Sequence, residues 1–263
     1  MAKSAYLDKF KKLSYKKFQG LALDKSLSKF EKIGFPDHYR ASHEANIFRD
    51  IKSKLTLLNT KSKSVLDIGS GCSELPLILI EHCNKKNHQL TLVDSKEMLN
   101  LIPDTKNVNK VSGMYPKNIS KVRNAVQNKV DVIICYSLLQ YIFVEVGFWQ
   151  FIDLSLSLLG EGGQMLLGDI PNNSMRKRFL SSSNGIAFHK SYMNTRKEPE
   201  LSYNLPEPDE IDDSVLLAVL ARVRAAGQDF RFVRLSPGAA DAAAVSAPQS
   251  DGEEEGCRWR LMP

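Results

Sequence analysis

The sequence predicts an α/β fold: an open, mostly parallel sheet with helices on both faces. Three observations carry that expectation. Strand-length apolar runs alternate with helix-length segments along the middle of the chain. The run Val65-Leu66-Asp67-Ile68 passes directly into a glycine turn, Gly69-Ser70-Gly71, and then into a helix over Leu75 to Cys83. The run Val130-Asp131-Val132-Ile133-Ile134-Cys135 is nearly all apolar and β-branched, as a strand covered on both faces must be. With 263 residues, 43% of them hydrophobic, the chain can bury one sizeable core.

Residues 1–60 are expected to form an N-terminal helical extension, and residues 61–263 the α/β domain. Tyr6, Phe10 and Leu13 recur at helical spacing, which gives an amphipathic lid helix its apolar face. Lys9, Lys11, Lys12, Lys16 and Lys17 crowd the same region, and the net charge is +6. A basic face of this kind suits nucleic acid, an anionic surface or an acidic substrate, and equally plain solvation. The segment Phe35-Pro36-Asp37-His38 leads into Tyr39-Arg40-Ala41-Ser42-His43-Glu44, ahead of the helix that feeds the first strand.

A strand, a tight glycine turn and a helix N-terminus together make a pocket for a polar cofactor. The glycines take positive φ and let backbone approach the ligand, and the free N–H groups of the first helical turn hold polar groups. A dinucleotide fingerprint would need a third glycine where Glu74 stands, and Asp67 would repel a pyrophosphate. The second strand, Gln89 to Val93, ends at Asp94, which is placed to accept hydrogen bonds from ribose hydroxyls; Ser95 follows, ahead of a helix over Glu97 to Leu101. A third strand near Val108 to Ser112 leads to Gly113-Met114, and the fourth strand ends in Tyr136-Ser137-Leu138-Leu139-Gln140-Tyr141. A helix over Phe148 to Leu159, the turn Leu159-Gly160-Glu161-Gly162-Gly163 and a fifth strand over Gln164 to Asp169 come next, with Pro171 stopping the strand.

Asp67-x-Gly69-x-Gly71 resembles the first motif of class I S-adenosylmethionine-dependent methyltransferases, and the Leu-Leu, glycine turn, Gly-Gly, apolar strand order resembles the approach to their fifth strand. The resemblance implies a Rossmann-like, seven-stranded, mostly parallel sheet with an antiparallel last strand, and S-adenosyl-L-methionine as cofactor. It implies that Asp67, Gly69, Ser70 and Gly71 cradle the methionine and ribose, and that Asp94 and Ser95 meet the ribose. Gly113 and Met114 would lie beside the adenine, with Met114 on the ring face because no acidic residue follows the third strand. Tyr136 and Ser137 would face the transferring methyl. The helix before strand six is expected over Asp213 to Ala226, strand six over Phe230 to Leu235, and strand seven over Cys257 to Leu261. Composition shifts toward Ala and Arg near residue 205, and residues 238–256 read as a flexible loop.

Taken together, Phe35-Pro36-Asp37-x-Tyr39-Arg40, the glycine motif, Tyr136 to Tyr141 and Gly168-Asp169-Ile170-Pro171-Asn172 resemble a group of bacterial methyltransferases often encoded among genes for surface polysaccharide sugars. That resemblance implies a hydroxyl of a sugar, or of another small metabolite, as acceptor. Asp169 and His189 are the candidate general bases. Tyr39, Arg40, His43, Tyr141 and Arg176 are the candidate substrate contacts, the arginines suiting a carboxylate or phosphate. An RNA methyltransferase is a second reading, from the basic N-terminus, although no RNP-like run is present. A non-catalytic binding protein that keeps the fold is a third.

Cys72, Cys83, Cys135 and Cys257 have neither metal-ligand spacing nor the density of a disulfide framework. The sequence has no apolar run of membrane-spanning length, and Met1-Ala2-Lys3-Ser4 leads into no apolar signal region. A reduced, cytoplasmic setting is expected.

Overall fold

Strands β1 (Ser64–Ile68), β2 (Gln89–Asp94), β3 (Val108–Ser112), β4 (Val130–Tyr136) and β5 (Leu159–Ile170) lie parallel in the order β3-β2-β1-β4-β5. The computed structural model describes residues 10, 13–127, 129–203, 207–229, 231–234 and 259–262, by their backbone alone at 38, 39, 231–234 and 259–262. Strand order reverses between β1 and β4, so the two loops that leave these strands part and open a crevice at their carboxyl ends. Beyond β5 the short segments β6 (Arg231–Arg234) and β7 (Trp259–Met262) continue the order as β5-β7-β6. Leu261 of β7 stands opposite Leu167 and, on the other side, opposite Phe232, antiparallel in both pairings.

Successive side chains of the central strands point to opposite faces, and both faces are dry. Val132 and Ile134 of β4 join Leu90 and Leu92 of β2 on one face, where α4 (Glu44–Lys54) and α5 (Glu74–Lys86) supply Ile47, Ile51, Leu79 and Ile80. Ile133 and Cys135 turn the other way with Leu66 and Ile68, under α9 (Phe148–Leu158) and α12 (Asp213–Ala225), which supply Phe151, Ile152, Leu216 and Val219. Full burial of each large aliphatic or Phe side chain stabilises the fold by about 1.5–3 kcal/mol. These two layers position the strand ends.

Most boundaries fall within a residue or two of expectation, and three departures are instructive. The helix after β1 runs to Lys86 and not to Cys83, because its polar last turn stays solvated and the stop is Asn87, which takes the left-handed conformation at φ 56°. The glycine turn expected before β5 is part of the strand: Leu159 already pairs with Val130, and the extra residues are absorbed by a register shift between Val130 and Val132. The first helix, α1 (Tyr15–Leu23), begins after Ser14, whose side chain accepts from the Lys17 N–H at 3.2 Å. Leu13 therefore precedes the helix, buried, while Tyr6, Lys9, Lys11 and Lys12 lie outside the described residues. So do the expected loop at 238–256 and Cys257. No described helix is long and apolar enough to cross a membrane.

Candidate functional site

One pocket opens at the carboxyl ends of β1, β2 and β4. Its floor is the glycine loop. Gly69 (φ 74°) and Gly71 (φ 65°) both take a backbone conformation that side chains disfavour. Space forbids a side chain as well: a Cβ on Gly69 would stand 2.6 Å from Leu138 Cδ2, and one on Gly71 2.8 Å from Ile33 Cγ2. The Gly69 N–H is fixed to the Val93 carbonyl at 2.8 Å.

Asp94 ties this loop to the second strand. One of its carboxylate oxygens accepts from the Gly71 N–H at 2.8 Å and the other from the Ser95 N–H at 2.6 Å. Burial pushes the Asp94 carboxyl up to about 6, against the pull of those two donors. Asp67 is buried behind it; burial, and then the charge of Asp94, push its carboxyl up to about 7. Ser95 is turned away from the pocket, its hydroxyl capping α6 (Lys96–Leu99) by accepting from the Met98 N–H at 3.2 Å. Gly113 and Met114 line the far wall, where the Gly113 N–H meets the Asp94 carbonyl at 2.9 Å.

The opposite wall comes from β4 and β5. Ser137 and Asp169 both take φ 56°, an uncommon conformation for residues with a Cβ, at adjacent strand ends. The Ser137 N–H donates to the Gly168 carbonyl at 2.9 Å, and its hydroxyl donates to Asp169 Oδ2. Gly168 is glycine because a Cβ there would stand 2.5 Å from the Tyr136 ring. Arg40, at the end of α3 (Asp37–Arg40), donates from Nη2 to Ser137 Oγ at 3.0 Å. Its guanidinium lies 4.4 Å from the Phe35 ring centre and 5.7 Å from that of Tyr136.

The N-terminal segment roofs the pocket. The Tyr15 N–H donates to Glu145 Oε2 at 2.7 Å, Phe18 meets Tyr141 edge-on at 5.0 Å, and Gln19 Nε2 donates to Glu97 Oε2 at 2.9 Å. Burial, with the charges of Asp94 and Glu97, pushes the Tyr15 hydroxyl up to about 12, so it stays a neutral donor. Glu44, first residue of α4, accepts from the Leu75 N–H of α5 at 2.6 Å.

Of the residues singled out in the sequence, Asp67, Gly69, Ser70, Gly71, Asp94, Gly113, Met114, Tyr136 and Ser137 line this one pocket, joined by Arg40 and Tyr141. Asp169 does not line the pocket; it accepts from the hydroxyl of Ser137, which does. His43, half-buried where α4 begins, does not line the pocket; neither do half-buried His189 on α11 (Ser183–Tyr192) and exposed Arg176 on α10 (Asn173–Leu180). The Tyr39 side chain lies outside the described residues. Tyr15, Phe18, Ile33, Phe35, Glu44 and Glu145 also line the pocket, and sequence reasoning did not assign them. Phe35 and Glu44 lay in runs already singled out, and Tyr15 and Phe18 share an aromatic spacing one turn downstream of the stripe expected for the lid.

No family model and no curated protein sequence matches the chain. Solved structures match in fold. The plantazolicin methyltransferase BamL, in complex with a triazolic desmethylPZN analog and SAH, aligns with TM-score 0.51 at 14% identity, over 94% of this chain and 96% of its own. The plantazolicin methyltransferase BpumL, with a pentazolic analog and SAH, aligns with TM-score 0.52 at 12% identity, over 94% and 96%. At these identities the likeness is one of fold.

Proposed function

We propose that the chain is an S-adenosylmethionine-dependent methyltransferase that methylates a hydroxyl of a small metabolite, a sugar or sugar nucleotide being the acceptor class its sequence resemblance implies. The observation that carries this reading is the joining of the glycine loop to Asp94 at the strand-order reversal, under an aromatic roof. Asp67, Gly69, Ser70 and Gly71 would hold the methionine and ribose part of the cofactor, Asp94 the ribose, and Gly113 with Met114 the adenine. The fit is supported by the glycine loop lining the pocket with its backbone, packed so closely against Leu138 and Ile33 that no side chain can intervene, and by the buried Ser70 hydroxyl, which has no partner among the described residues. When bound, the cofactor supplies a methyl group activated on a sulfonium.

This chain's own part is positioning and proton transfer. Holding the acceptor oxygen at attack distance with water excluded supplies much of the rate. The aromatic roof of Phe18 and Tyr141 would exclude the water. Ser137 Oγ would accept the acceptor's proton while its own passes to Asp169, so that Asp169 serves as base from behind the pocket wall. In the same reading residues 1–60 are the lid, residues 61–263 the catalytic domain, and β6 with β7 complete a seven-stranded sheet of the methyltransferase kind.

Calorimetric titration with S-adenosylhomocysteine, with NAD as control, tests the proposal. Binding of the first and not the second is expected. Binding of NAD, or of neither by a cooperatively folded sample, would overturn it.

A further inference from the structure

Two buried charges in the pocket wall are left incompletely satisfied by the protein. Arg40 is 4% exposed and Glu44 1% exposed, and both line the pocket beside Ser70 and Ser73 of the glycine loop and the start of α5. Arg40 spends Nη2 on Ser137, but its Nε is shut off from water with no hydrogen-bond partner among the described residues. Glu44 spends Oε2 on the Leu75 N–H; burial pushes its carboxyl up against the pull of Arg40, Ser73 and the Leu75 and Glu74 N–H groups, and its Oε1 is buried without a hydrogen-bond partner among the described residues. Neither residue makes an ion-pair contact among the described residues, although the Arg40 charge reaches Glu44 and favours its ionised form. Groups of this kind are normally paired, since leaving them orphaned is costly.

We propose that Arg40 and Glu44 form a clamp for the amino-acid end of the cofactor, Arg40 taking its carboxylate and Glu44 its ammonium. This rests on the cofactor reading above and assigns Arg40 to the cofactor instead of the acceptor. The pairing of signs favours that choice. A simple anion on the acceptor would satisfy Arg40 but meet the carboxylate of Glu44 four residues on. A zwitterion satisfies both, and the amino-acid group of S-adenosylmethionine is a zwitterion. The guanidinium rests against two aromatic rings, 4.4 Å from the centre of Phe35 and 5.7 Å from that of Tyr136, which limits its movement as a fork for a carboxylate requires.

The test compares two ligands on three proteins by calorimetry. S-adenosylhomocysteine carries the amino-acid group; methylthioadenosine keeps the adenosine and the thioether but lacks it. Arg40→Met should weaken S-adenosylhomocysteine roughly tenfold or more while leaving methylthioadenosine within about twofold, because only the first loses a charged hydrogen bond. Glu44→Gln should repeat the pattern with a smaller loss. Equal weakening of both ligands overturns the clamp in favour of a structural role. Unchanged binding of both overturns it in favour of a contact to the acceptor. Wild-type protein that binds neither ligand overturns the cofactor reading itself, and the clamp with it. If Arg40→Met does not fold, Arg40→Lys, which keeps the charge and loses the fork, reads the same ligand ratio.

Discussion

The pocket has two halves, and the chain builds them differently. The glycine-loop half is made by residues close in sequence or on neighbouring strands: the bond that closes it, Gly71 to Asp94, spans 23 residues. The half made by the roof and the β4–β5 wall is held by distant partners: Arg40 reaches Ser137 across 97 residues, and Tyr15 reaches Glu145 across 130. In the first half the backbone is the device, with positive φ at the glycines and N–H groups turned on a carboxylate. In the second, side chains are the device, and their conformations are set by packing. In the proposed reading the first half would hold the adenosine end of the cofactor, and the second would close on its amino-acid end through Arg40 and prepare the acceptor through Ser137 and Asp169.

The largest test of this division is Asp169→Asn. Asparagine tolerates the left-handed backbone better than most residues, so the φ of 56° is kept and only the carboxylate is lost. Turnover should fall by about 100- to 10,000-fold, the range of a general base. S-adenosylhomocysteine affinity, which belongs to the other half, should not change. Steady-state kinetics beside calorimetry separates the two. Loss of affinity in step with turnover would mean that the halves are not independent.

Asp67 tests the first half through pH. Its carboxyl sits at about 7 in the fold against an ordinary 3.8, because burial and then Asp94 disfavour its charge. Between those two values the unfolded chain has released a proton that the folded chain keeps, so this residue makes stability fall as pH rises from 4 to 7, and adds no slope above that. Asp67→Asn removes the titration. In urea unfolding at a series of pH values, the variant should gain on wild type by on the order of 3 kcal/mol across this window, at about 1.4 kcal/mol per pKa unit. A constant offset between the two curves would mean that Asp67 is ionised in the fold throughout.

The same contrast explains what was legible in the sequence. Asp67, Gly69, Gly71 and Asp94 could be found because each is demanded by local geometry, a turn or a strand end, and local demands leave a pattern in adjacent residues. The central strands could be found for a similar reason, since burial on both faces leaves an unbroken apolar run. Glu44 and Glu145 were not assigned, because an acid at a helix start or on a helix surface has a local role of its own and its sequence neighbours do not show that it lines the pocket. Asp169 was placed at its strand end correctly, yet its route to the pocket through Ser137 depends on the pairing of β4 with β5 and on two residues in an uncommon backbone conformation. His189 was singled out from its residue type and a segment expected to fold over the cleft; in the structure it stands on a helix beyond the pocket lining.

A pair of glycine substitutions measures how much of the first half lies in conformation and how much in contact. Gly69 and Gly162 have similar positive φ, 74° and 66°. A Cβ on Gly162 would meet nothing within 4 Å, whereas one on Gly69 would meet Leu138 Cδ2 at 2.6 Å. Gly162→Ala should therefore cost only the backbone preference, about 1 kcal/mol. Gly69→Ala carries that cost plus the displacement of Leu138, for about 2–3 kcal/mol in all. Leu138 itself lines the pocket, so its displacement should also weaken S-adenosylhomocysteine, which Gly162→Ala should leave alone. Equal costs in urea unfolding, with ligand affinity unchanged in both, would show that Leu138 yields freely and that the glycine loop owes its sequence to φ alone.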